Sequence, residues 1–106
     1  MQQTKPPPLG SLGSPAGLVM LTHVITFELD VPYAQWQKAF TDHAAKRDEH
    51  GLLTLFAGQS VEAENQVCVI LQAEADVMER FMQAEAETIQ AAGHRMETTQ
   101  VKVYSA

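Results

Sequence analysis

The chain has 106 residues, with 7 Lys+Arg against 13 Asp+Glu and a formal net charge of −6. That length fits one domain, and a composition of 45% hydrophobic and 19% charged residues is globular in type. The acidity argues against a nucleic-acid binder, which needs a basic face. The lone cysteine, Cys68, leaves no internal disulfide and fits a reducing, cytoplasmic setting. No run approaches the roughly 18 apolar residues of a membrane span, and no basic-then-apolar leader opens the chain.

Residues 1–19 hold four of the five prolines and three of the six glycines. Pro6-Pro7-Pro8 favours polyproline II, and the Gly/Ser stretch after it favours coil. A disordered tail is expected there, followed by one domain over 20–106.

Residues 21–29, LTHVITFEL, are rich in β-branched and aromatic residues and alternate in polarity, so they predict a first strand. Asp30 offers an N-cap oxygen and Pro32 suits a first helical turn. Tyr33, Trp36, Phe40 and Ala44 recur at helical spacing, predicting one helix through residue 50 that ends at Gly51. Residues 52–58 and 66–73 predict a hairpin, with Gly58 marking a bulge or the strand's end. Asp76 and Glu79 have capping-box spacing. Met78, Phe81, Met82, Ile89 and Ala92 predict a second helix over 77–92, closed by Gly93, and 99–105 a fourth strand. The order is βαββαβ. Such a chain buries its apolar surface as a four-stranded antiparallel sheet with two helices on one face, the ferredoxin-like α+β architecture, with strand one between strands three and four.

The odd positions of strand one, Leu21, Ile25, Phe27 and Leu29, form its more apolar face. With Leu53, Leu55, Val67, Val69, Leu71, Val101 and Val103 they are expected beneath the helices. The opposite face then carries Glu28, Phe56, Ile70, Gln72, Lys102 and Tyr104, together with Thr22, Val24, Thr26, Thr54 and Cys68. That face is too apolar for water alone and too polar for a dry core, which marks a ligand site or an interface.

The element order, element lengths and sheet pattern resemble the dimeric α+β barrel superfamily, in which two sheets pack face to face around a cavity. Within it the chain is similar to a small bacterial family that carries a late Gly-His-x-Met-Glu-x-Thr stretch, matched here by Gly93-His94-Arg95-Met96-Glu97-Thr98-Thr99. The resemblance spans residues 20–106 and implies a homodimer with a cavity, but no reaction. The superfamily includes haem-degrading and quinone-forming monooxygenases, whose catalytic residues have no position-by-position match here.

Candidate chemistry is sparse. No two of His23, His43, His50 and His94 share a helix face at i, i+4, and no Cys-x-x-Cys occurs, so no metal site is expected. No Gly-rich phosphate loop is present, and no cofactor is expected. His94 sits where a cation suits the end of helix two; with Glu97 it forms a candidate acid–base pair. Glu28 and Lys102 are a candidate cross-strand ion pair on the open face. His23 reads as a histidine at the core edge, Lys46-Arg47 as a solvated helix face, and Trp36 as a core anchor. Two readings follow. One is a homodimeric module that binds a small ligand or a protein partner. The alternative is a cofactor-independent monooxygenase- or isomerase-like enzyme working through Glu28, Tyr104 and His94.

Overall fold

A computed structural model describes residues 19–105, so the segment expected to be a tail lies outside the described residues except for Val19. The elements run β1 (Leu21–Leu29), α1 (Tyr33–Asp42), α2 (Ala44–His50), β2 (Leu53–Gln59), β3 (Gln66–Ala73), α3 (Ala75–Ala84), α4 (Ala86–Ala91) and β4 (His94–Ser105). The four strands form one sheet in the order β2-β3-β1-β4 with every pair antiparallel. This is the ferredoxin-like fold, with a broken helix pair in each helical place. Strand one lies between strands three and four as expected.

Alternation in β1 reads directly into burial. His23, Ile25, Phe27 and Leu29 are buried beneath the helices, and the residues between them are half-buried. Val67, Val69, Leu71 and Ala73 continue the core on β3, and Trp36, Met78 and Phe81 close it from the helices.

Four local expectations fail. Each predicted helix is broken, at His43 (φ −94°, ψ 11°) and at Glu85 (φ −109°, ψ 14°), although neither residue is Gly or Pro. Neither proposed cap forms: α1 is preceded by Pro32 and α3 by Glu74, without a side-chain cap hydrogen bond. Asp30 instead faces Arg95 at 3.4 Å and Asp76 pairs with Arg80 at 3.0 Å. The bulge in β2 falls at Leu55 rather than Gly58, between the pairs Thr54↔Leu71 and Phe56↔Ile70. That extra residue inverts the parity of the strand's start. Leu53 joins the open face and Thr54 the helix side, while Leu53 and Leu55 are 53% and 49% exposed and Leu52 is buried.

Finally, β4 begins at His94, five residues earlier than expected. A register shift opposite Phe27 separates Thr26↔Gln100 from Glu28↔Arg95. Thr98 stitches the shift: its Oγ1 accepts from the Glu28 amide at 2.8 Å and donates to the Arg95 carbonyl at 2.7 Å.

Candidate ligand cavity and open sheet face

The helix breaks and the sheet together frame a cavity of about 80 Å³. Its floor is Ile25 and Phe27 of β1 with Val69 and Leu71 of β3, and its walls are aromatic. Phe27 meets Trp36 edge-on at 5.7 Å, and Trp36 stacks on Phe40 at 4.9 Å. Both break residues, His43 and Glu85, lie on its lining. Glu85 also faces His50 of α2 at 3.5 Å, linking the two helix pairs.

Two polar side chains are buried in these walls. His94 is 4% exposed and lies flat on Phe27, with ring centroids 3.7 Å apart and planes 6° from parallel. Its Nε2 is 2.6 Å from Thr99 Oγ1. Desolvation lowers its pKa to about 4, so the ring is neutral at pH 7.

Arg47 is 7% exposed. Its Nε donates to Thr54 Oγ1 at 3.1 Å and its Nη1 to the Phe40 carbonyl at 2.8 Å. Its guanidinium carbon stands 3.6 Å above the Phe40 ring. Burial lowers its pKa and the charge of Asp48 opposes that, but an arginine keeps its charge at neutral pH. The expectation that Lys46-Arg47 is a solvated pair therefore holds for Lys46 and fails for Arg47.

Strand pairing sorts the sequence-derived candidates on the open face into rows. Phe56, Ile70, Val24 and Lys102 cross the sheet in one row, and Leu53, Gln72, Thr22 and Tyr104 in the next. Gln72 Nε2 donates to Thr22 Oγ1 at 3.3 Å. Five of the six candidates therefore sit together. Glu28 stands apart, four residues along β1 from Val24 or roughly 13 Å. It pairs with Arg95 at 3.2 Å rather than with Lys102, which lies opposite Val24. His94 and Glu97 are not brought together either. His94 is buried on the helix side, while Glu97 is exposed and held by Arg95 at 3.0 Å. His23, buried as a core-edge residue, leaves its Nδ1 without a hydrogen-bond partner among the described residues.

A second depression, about 160 Å³, lies beside the β2–β3 hairpin and is lined by Thr26, Phe56, Gly58 and Cys68 among others. Phe56 lies over Gly58 there, where a Cβ would stand 2.6 Å from the ring's Cζ. Of the two, the inner cavity is the candidate site, because it is walled by sheet and helices and holds buried polar groups. Sequence reasoning missed it. Trp36, Phe40 and Phe81 read as core packing, and no pattern signals that helix breaks leave space between them. Among the described residues no group of three or more His, Cys, Asp or Glu is placed to hold a metal, and no helix is long and apolar enough to cross a membrane.

The fold and its one-sided helix layer define a ferredoxin-like domain of the kind seen in antibiotic biosynthesis monooxygenase structures. A candidate monooxygenase of that type from Bordetella bronchiseptica superposes with a TM-score of 0.67 at 16% identity, over 83% of this chain and 97% of that one. SnoaB, a cofactor-independent oxygenase from Streptomyces nogalater, gives 0.64 at 17%, over 83% and 93%. A candidate monooxygenase from Caulobacter crescentus gives 0.61 at 20%, over 83% and 90%. Residues 20–106 match the family described as Domain of unknown function (DUF3764), and the chain belongs to it. No curated protein matches the chain.

Proposed function

We propose that the protein is a homodimeric binding module that joins through its open sheet faces and holds a small molecule in the cavity between each sheet and its helices. The observation that carries this reading is the one-sided covering of the sheet. The helices bury one face of the central strands β1 and β3, leaving Val101 and Val103 of β4 exposed at its edge, while Leu53, Phe56 and Tyr104 remain 53%, 52% and 54% exposed on the other face. A contiguous apolar patch of this kind on a small domain marks an interface, and the self-complementary partner for a sheet face is a second copy related by a two-fold axis. The lone Cys68 supports placing the module in the cytoplasm.

Light scattering of the full chain over a hundredfold concentration range tests the dimer. The expected result is the dimer mass throughout, shifted to monomer in Phe56→Asp and Ile70→Asp. Wild-type monomer at every concentration overturns it.

The alternative, a cofactor-independent oxygenase, is favoured by one observation: a SnoaB-like fold with a histidine in the cavity wall. Against it, about 80 Å³ is well below the roughly 300–1,000 Å³ of pockets that enclose drug-sized substrates. An imidazole titrating near 4 is also a weak base. Glu28 and Tyr104 lie rows apart on the opposite face of the sheet. Oxygen uptake with a hydroxylated single-ring substrate, abolished by His94→Phe, would favour the enzyme over the module.

A further inference from the structure

We infer that the cavity selects an anion, a short aliphatic or single-ring monocarboxylate whose apolar body fills the space beside Phe27 and Phe81 and whose carboxylate faces Arg47. This inference rests on the binding-module reading and names the ligand class for its cavity.

A cation removed from water is costly unless an opposite charge compensates it. Arg47 is 7% exposed and lines the cavity, yet no carboxylate of the described residues lies within 4.0 Å of its guanidinium. Its bonds use Nε and Nη1, and Nη2 has no protein acceptor among the described residues. The Phe40 ring compensates in part. Guanidinium geometry suits a carboxylate, which accepts two parallel N–H donors.

Lys46, exposed on the same lining, has no ion-pair partner among the described residues, since Lys38 takes the nearby Asp42 at 3.0 Å. The one acid on the lining, Glu85, is engaged with His50. The lining therefore offers two cations with no contacting carboxylate among the described residues, Arg47 feeling only the longer-range charge of Asp48, in a site whose other walls are mainly rings and aliphatic side chains. The size of the space, about 80 Å³, limits the body to one ring or a short chain.

The test uses the full chain and three probes of one shape: benzoate, benzamide and benzylamine. Amide chemical shifts are followed by NMR during titration. The expected result is saturable shifts at residues lining the cavity, with benzoate at least tenfold tighter than benzamide and benzylamine weakest. Lys46→Gln and Arg47→Gln should each bring benzoate toward benzamide. Lys46 is exposed, so its variant keeps the test open should Arg47→Gln fail to fold. Equal affinity for acid and amide, or preference for the amine, overturns the anion selection and leaves the cavity reading standing. No saturable shift with any probe overturns both, while the dimer stands or falls separately on its mass.

Discussion

Arg47 is fastened to Phe40 twice, through the carbonyl that accepts its Nη1 at 2.8 Å and through the ring that lies 3.6 Å beneath its guanidinium. The two residues stand on either side of the break at His43, so this contact holds α2 against α1. Thr54 Oγ1 ties the same guanidinium to β2. A lysine keeps the charge but cannot span all three partners. Arg47→Lys should therefore lose about 1–3 kcal/mol in urea unfolding at pH 7; an unchanged midpoint would mean the three contacts contribute nothing net.

Gly93 and Gly51 both have positive φ, 109° and 88°, but differ in surroundings. A Cβ on Gly93 would fall inside contact distance of both Val31 methyls, whereas one on Gly51 would meet only Val77 Cγ1 at 3.9 Å. Gly51→Ala should cost about 1 kcal/mol from backbone strain alone. Gly93→Ala should cost at least ~2 kcal/mol, since strain and overlap add. Thermal melts of the two variants should rank in that order.

The buried His94 gives the fold a pH dependence of defined sign. Its pKa is about 4 folded against 6.5 for the free side chain, so between those values the unfolded chain binds the extra proton. Stability is full above about pH 6.5, declines as the pH falls and levels below about 4, with a total of order 3 kcal/mol. The Glu97 carboxyl, lowered from 4.5 by its own backbone amide and then by Arg95, adds its loss only at the acid end. Denaturation at pH 7, 6, 5 and 4 should show the slope in wild type and a flatter line in His94→Gln. Parallel lines would mean the histidine is not the source.

Leu52 and Leu53 are neighbours with opposite fates, 3% and 53% exposed. Leu52→Ala should cost about 2–4 kcal/mol at any protein concentration. Leu53→Ala should change intrinsic domain stability by no more than about 0.5 kcal/mol. A larger loss at Leu53 should appear only together with a change in the concentration dependence of unfolding, as expected of a residue buried between copies.

The contrast between those two leucines also shows where the sequence was readable. β1 was legible residue by residue, because an unbroken two-residue period maps onto one buried face. β2 was not. Its alternation continues through Leu53, Leu55 and Ala57, and nothing marks the extra residue at Leu55 that turns Leu53 outward. The start of β4 was hidden for a related reason: residues 94–99 lack alternation because the Thr98 and Thr99 hydroxyls hold an irregular stretch. The helix breaks at His43 and Glu85 carry no Gly or Pro, so the cavity beside them had no sequence signature. Phe56, Ile70, Gln72, Lys102 and Tyr104 share one face of the sheet because each lies on a stretch with an unbroken two-residue period, Phe56 falling just past the β2 bulge. Arg47 was misjudged because an adjacent basic pair on a helix ordinarily faces water.

The strand order has a consequence for how the chain reaches this state. β1 is the first of the four described strands in chain order, yet it is central, paired with β3 on one side and β4 on the other, with Leu21 matched to Ser105. Its β4-facing edge stays open until residues 94–105 have left the ribosome, so every partial chain presents an apolar, half-paired strand to its surroundings. The pairing that completes the sheet closes the longest loop the domain contains, which makes that step the slow one in folding.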